Sequence, residues 1–459
     1  MRTLDQILTK KDYSRKTPAS LFYKDSPLWQ KLLTIGCVVF LAGAGLGEWK
    51  PINSAVGGLP KAISLGVIGL AMLYTLFYPD EKRLRELWKP TLLYMSLMAV
   101  LFFWSMVIWI ESFAAVSSMI RSCSKIVFQS IAILTAVALV YLFREKAIEL
   151  FTISICIANT AIMLLSIPGY GFAASIQSLV TCLITFGEAD GYALQLEIHD
   201  LTFVFGQMVL YYAAFAPHST RQEKRKRRRY LLACCWFFLI GMKRSAIPAV
   251  LLFVLIALFF RKRKVPSWFY PAVGGGCILF FLVFLYCVRY GIISRLLNSF
   301  GVDMMGRDYL WSMANPYYEF SVTYLGHGFE YVDTIIGQWY NAGLINEPFP
   351  FHNDILKVFV EMGFPGFLIW SVIQYVLTPL FWQRYADQQT TLLYLCELGY
   401  MTVTYLTDNT AFYFWSTMAL RLVTLAYTME RKKPPEPKVW MPDSRQEMRD
   451  RIHILMKEV

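Results

Sequence analysis

About a dozen near-continuous apolar stretches recur along this chain, each close to the roughly 20 residues a helix needs to cross a hydrocarbon core. Lipid offers backbone amides no hydrogen-bond partner, so these stretches read as helices that satisfy their own peptide groups. The 459 residues are 56% hydrophobic, and the mean hydropathy of +0.44 is too apolar for a water-soluble protein of this size. The pattern predicts an all-α, polytopic integral membrane protein with about twelve transmembrane helices. They fall near 31–47, 61–78, 91–110, 126–143, 149–166, 201–217, 230–242, 245–260, 266–287, 362–382, 391–407 and 411–428. Gly241 to Arg244 makes the join between the seventh and eighth a tight turn.

Three regions follow: a polar, basic N-terminal segment (1–30) with no cleavable signal peptide, a transmembrane domain (31–428), and a charged tail (429–459) containing Pro434, Pro435 and Pro437. With the N-terminus inside, 32 of the 44 lysines and arginines fall in inward-facing segments and eight in outward-facing ones, as the positive-inside rule requires. Both termini are therefore expected in the cytoplasm. The net charge of +12 reflects this topology, and the basic runs at 221–229 and 261–264 read as contacts to acidic headgroups rather than to nucleic acid. The nine cysteines sit mostly inside apolar runs without paired spacing, as core residues do.

Two outer segments exceed mere turns. The first, 167–200, carries an apolar piece (172–186) that parity makes re-entrant or interfacial. The second, 288–361, lies between the ninth and tenth spans and is rich in Tyr, Trp, Gly and Asn. Loops this long in a compact protein are functional or disordered, and aromatic content argues against disorder.

Of the five histidines, this topology puts His199, His327 and His352 outside. His352 precedes a helical pattern of Ile355, Phe359 and Met362, so that Asn353 or Asp354 caps the helix. Imidazole titrates near neutral pH and suits a general base, and a helix N-terminus attracts phosphate. The plainer reading is a polar residue marking the membrane interface. Arg307 opens a short amphipathic segment with Leu310 and Trp311 one turn on; its planar fork suits a pyrophosphate, or else anchors a headgroup. Lys243 and Arg244 put two cations at an outer helix end against the charge bias, which marks function more often than accident, with interfacial snorkelling as the alternative. Arg421 lies inside the last apolar run, with Asp408 as its expected ion-pair partner. Glu197 and His199 stand in a cluster with Asp200 that lacks further ligands for a metal, which leaves a supporting or acceptor-sugar role. No Walker loop, His-Glu-x-x-His or Asp-x-Asp pair is present, so nothing signals ATP hydrolysis, metalloproteolysis or a nucleotide-sugar site.

Gly306-Arg307 to Trp311, then Leu325-Gly326-His327-Gly328-Phe329, then Phe351-His352-Asn353-Asp354 running into Glu361-Met362-Gly363-Phe364-Pro365-Gly366-Phe367, resembles the Wzy polymerase and O-antigen ligase superfamily in order and spacing. With the Arg244-Ser245 turn, the likeness covers roughly 200–385. The resemblance implies glycan transfer from a polyprenyl-pyrophosphate carrier to an acceptor hydroxyl on the outer face of the bacterial cytoplasmic membrane, without metal, nucleotide or other cofactor. It implies that His352 is the essential loop histidine and that Arg244 and Arg307 face the pyrophosphate, with Lys243 beside them where a small or hydroxyl residue is common. Asn353, Asp354, His327, His199 and Glu197 are then supporting or substrate-contacting candidates. The partners it implies are the lipid-linked oligosaccharide, membrane lipids, and the flippase and chain-length regulator of the same pathway. The expected activity is polymerisation of repeat units. Transfer to lipid A or another acceptor by a ligase, and transport by a flippase, are the alternatives; few midspan charges and no internal repeat weigh against the last.

Overall fold

The computed structural model describes residues 28–112, 116–185, 198–218, 220–301, 304 and 306–432. Most of the N-terminal segment, the tail beyond 432, and Glu197 lie outside the described residues. Within them every regular element is a helix and no strand occurs.

The first half comprises α1 (Leu28–Leu46), α2 (Lys50–Ala55), α3 (Leu59–Phe77), α4 (Glu81–Ser112), α5 (Val116–Phe143), α6 (Ala147–Tyr170), α7 (Phe172–Thr185) and α8 (His199–Ala214). The second half comprises α9 (Arg221–Ile240), α10 (Ala246–Phe260), α11 (Phe269–Arg289), α12 (Ile292–Ser299), α13 (Arg307–Ala314), α14 (Tyr331–Asn341), α15 (Asp354–Val372), α16 (Thr378–Tyr385), α17 (Gln388–Thr407) and α18 (Phe414–Arg431). Each of the twelve apolar stretches falls on helix, the tenth (362–382) running from α15 through a π turn at Ile373–Leu377 into α16. Among the described residues six runs are long and apolar enough to cross a membrane, counting Val116–Gly169 as one. That run is broken where the sequence places a cytoplasmic turn, by a 3₁₀ turn at Arg144–Lys146 that holds Arg144 at φ 50°. The protein is thus a multi-pass helical membrane protein. The apolar piece expected to be re-entrant or interfacial forms α7, whose 14 residues are too few to span.

The last described helix, α18, is the axis of the bundle. It is buried along almost its whole length and packs on α5, α6 and α8. Around it, α1 lies on α3 and α6, α10 on α8 and α17, and α4 on α15. A π turn at Ile373–Leu377 follows α15 and meets α11. The backbones approach so closely there that a Cβ on Gly274 would stand 1.9 Å from the Tyr375 carbonyl oxygen.

Helix α15 carries the outer loop. It kinks at Gly363 (φ 64°, ψ −175°), two residues before Pro365, and the kink frees backbone groups that the 324–328 loop satisfies. The Gly328 and His327 amides donate to the Glu361 carbonyl at 2.7 and 3.0 Å, and the Phe364 amide donates to the Tyr324 carbonyl at 2.8 Å. The Trp104 indole donates to the Met362 carbonyl at 2.8 Å. The two glycine-bearing motifs thus form one clasp. A Cβ on Gly363 would lie 2.2 Å from the Leu325 carbonyl carbon, in a backbone conformation that L side chains rarely adopt. Gly363→Ala is expected to destabilise the protein by roughly 2–4 kcal/mol, read as a fall in the thermal unfolding midpoint in detergent; an unchanged midpoint would show that the clasp does not hold the loop.

Candidate active site

Asn353 is the N-cap of α15: its side-chain oxygen accepts from the Leu356 amide at 3.0 Å, which leaves Asp354 for another task. The buried Asp354 carboxylate accepts from the Ala411 amide at 2.7 Å and ties the loop between α17 and α18 to the start of α15. His352, just before the cap, sits in the left-handed region at φ 49°. A non-glycine residue held there is a local strain of the kind found at ligand sites, although histidine tolerates it better than most.

The His352 Nδ1 lies 3.3 Å from Asp408 Oδ1, at the end of α17. The other Asp408 oxygen is 3.4 Å from Lys243 Nζ. One carboxylate therefore bridges the turn between α9 and α10 to the start of α15. A carboxylate only accepts, so the imidazole nitrogen facing it carries the hydrogen, and the Nε2 lone pair is left to take a proton. The expected Asp408–Arg421 pair does not form: Asp408 is occupied by Lys243 and His352, and the Arg421 guanidinium lies over the Tyr94 ring, 5.1 Å from its centroid.

His352 lines a cavity of about 140 Å³ together with Asn353, Lys357, Lys125 and Asn409. Two polar atoms on these lining residues are buried without a hydrogen-bond partner, Asn353 Nδ2 and Asn409 Oδ1. Such orphans cost free energy unless a partner meets them, and a hydroxyl can serve either a donor or an acceptor.

Beneath the cavity Lys357 gathers three carboxylates, Asp333 at 3.0 Å, Glu330 at 3.2 Å and Glu361 at 3.9 Å. Burial raises the Glu330 carboxyl above its ordinary range against the pull of Lys357. Desolvation would raise Asp333 as well, but Lys357, a hydrogen bond with Glu330 and then Lys125 overcome it and hold that carboxyl well below the usual range. Together with the bond from the Val332 amide to Glu361 Oε1, these pairs fix α14 against α15.

The other sequence candidates are distributed as follows. Arg307 is the first residue of α13, whose buried Trp311 donates to the Phe351 carbonyl at 2.9 Å, so its helix is pinned to the residue before His352. Arg244 is exposed beside Lys243, in a turn that Ser245 joins to Thr407 at 3.0 Å. Neither arginine is among the residues lining the His352 cavity; each stands next to an anchor of it. His327 is turned into the loop: its Nε2 donates to the Tyr317 carbonyl at 2.7 Å, its ring stacks on Tyr331 at 4.2 Å, and burial lowers its pKa. His199 opens α8. Lys125 and Asn409 were not singled out in the sequence; their place opposite His352 comes from packing, for which no motif signals.

Fold and site together define a multi-pass helical membrane protein with a histidine paired to a carboxylate just before helix α15. Residues 230–371 match the family model described as O-Antigen ligase. This bears out the likeness to the O-antigen ligase and Wzy polymerase superfamily over the segment that carries Arg244, Arg307 and His352. No curated protein matches the chain.

Proposed function

We propose that this protein is a polysaccharide polymerase that joins polyprenyl-pyrophosphate-linked repeat units on the outer face of a bacterial cytoplasmic membrane, with both termini inside. The observation that carries the reading is the His352–Asp408 pair at the mouth of a cavity with unpartnered polar atoms, within and beside the family-matched segment. In the proposed reaction His352 Nε2 takes the acceptor hydroxyl proton as its oxygen bonds to the anomeric carbon, and Asp408 steadies the imidazolium that results. The bond from that carbon to the phosphate oxygen breaks, and the polyprenyl pyrophosphate leaves with the electron pair. Arg244 and Arg307, with Lys243, stand outside the cavity lining and are assigned the growing negative charge of the pyrophosphate as it leaves. Asp408→Asn is expected to slow turnover less than loss of His352 does, since the base remains but its tautomer is no longer fixed.

A ligase uses the same chemistry on a different acceptor, and the description of the matching family favours keeping that reading. Incubating the purified protein with lipid-linked repeat units separates the two. Products lengthened by multiples of one repeat support polymerisation, transfer to a different acceptor alone supports a ligase, and absence of both with an active lipid-linked pool rejects glycan transfer. Activity is expected to survive metal chelation.

A further inference from the structure

A second cavity, of about 360 Å³, adjoins the His352 cavity and shares Lys125, Phe412 and Tyr413 with it as a common wall. We propose that it binds a sugar ring of the acceptor glycan, the molecule whose hydroxyl is presented to His352. This rests on the glycan-transfer reading above and adds a site to it. All of its lining residues lie outside the family-matched segment.

The strongest observation is Gln129, 1% exposed on α5. Its Nε2 donates to the Phe412 carbonyl, while its Oε1 is buried with no hydrogen-bond partner and belongs to a residue lining this cavity. A buried acceptor left unpaired costs free energy that a ligand hydroxyl would remove. Two carboxylates stand in the same wall, each oriented by protein donors. Glu48 accepts from the Trp415 indole at 3.1 Å and from the exposed Asn53 amide at 3.4 Å, with Lys61 3.9 Å away. Asp200 accepts from the Trp415 and Ser416 amides at 3.1 and 3.3 Å, at the start of α18.

Chemistry and placement select a sugar. Phe128, Phe412, Tyr413 and Phe414 supply apolar ring surface for the C–H face of a pyranose, while the carboxylates and amides suit its hydroxyls. Lys61 and Lys125 balance Glu48 and Asp200 in the lining, so the cavity has no excess of positive charge to draw a pyrophosphate and suits a neutral, hydroxyl-rich ring. Every lining residue lies in an outer segment or within the first four residues at the outer end of a span, by the topology that the charge bias gives, on the same face as His352. The volume falls within the range of small-ligand sites, roughly 300–1,000 Å³.

The test uses full-length protein in detergent and, as probe, the phosphate-free repeat oligosaccharide released by mild acid from the lipid-linked pool of the source cells. Titration calorimetry is expected to show binding that weakens about tenfold in Gln129→Met, Glu48→Gln and Asn53→Ala, the equivalent of one or two lost hydrogen bonds. Asn53 is exposed, so its variant tests the site without threatening the fold. His352→Asn is expected to bind the oligosaccharide as the unaltered protein does. Unchanged affinity in all three cavity variants, or binding of inorganic pyrophosphate that Lys61→Met abolishes, would overturn the proposal. Full turnover by His352→Asn would instead overturn the glycan-transfer reading, whatever the calorimetry shows.

Discussion

A His352→Asn protein is expected to insert, fold and bind its substrates, yet form product about 10²- to 10⁴-fold more slowly, the usual contribution of a general base. Asparagine is the informative choice because it accepts the left-handed backbone that His352 occupies, whereas alanine adds backbone strain to the loss of the base. Asparagine also cannot take a proton near neutral pH. The measurement is the initial rate of glycan lengthening by purified protein, with the thermal unfolding midpoint as control. A rate within a few-fold of the unaltered protein would remove His352 from the chemistry. The arginines give a graded comparison. Arg307→Lys keeps the charge but loses the bidentate fork, so it separates a pyrophosphate clamp from a simple headgroup attraction, which lysine would serve equally well.

How much of this was legible in the sequence divides along a physical line. The helices were legible because lipid imposes a length and a composition on each one separately, so the apolar stretches and the break near Arg144 can be read without any tertiary contact. A cap at Asn353 or Asp354 was legible for the same reason, since capping is local, and the structure gives it to Asn353. Contacts across the bundle were not. Asp408 was matched with Arg421 because both are charges in one hairpin, but Arg421 sits on α18 over Tyr94, and Asp408 reaches the Lys243 turn 165 positions away in the chain. Lys125 looked like any outer lysine until packing set it between two cavities. The Gly326-His327-Gly328 motif was legible as a pattern, but its histidine is taken up in docking the loop onto the α15 kink.

Lys357→Met is expected to be the most damaging single change to the fold of the outer loop, costing about 3–5 kcal/mol, the usual penalty when one member of a buried ionic cluster is removed. The cation lies within 4 Å of Glu330, Asp333 and Glu361, and Glu361 is completely buried with one oxygen already unpartnered. Methionine fills similar space, so the cost comes from charge rather than from a void. The pH dependence supplies the sign. Burial already raises Glu330, and without Lys357 only the weaker pull of Lys125 opposes that rise. A carboxyl whose folded pKa lies above its unfolded value penalises folding at neutral pH, and the penalty shrinks as pH falls through the raised value and the group becomes neutral. The deficit of Lys357→Met relative to the unaltered protein should therefore narrow on acidification from neutral pH, and adding Glu330→Gln and Glu361→Gln should recover part of it at neutral pH. A deficit that stays constant with pH and persists in the triple variant would mean that packing, not charge, joins α14 to α15. Because Lys357 also lines the His352 cavity, any loosening of this cluster should lower the glycan-lengthening rate before the transmembrane helices unfold, so activity should fall at lower temperature than helical content does.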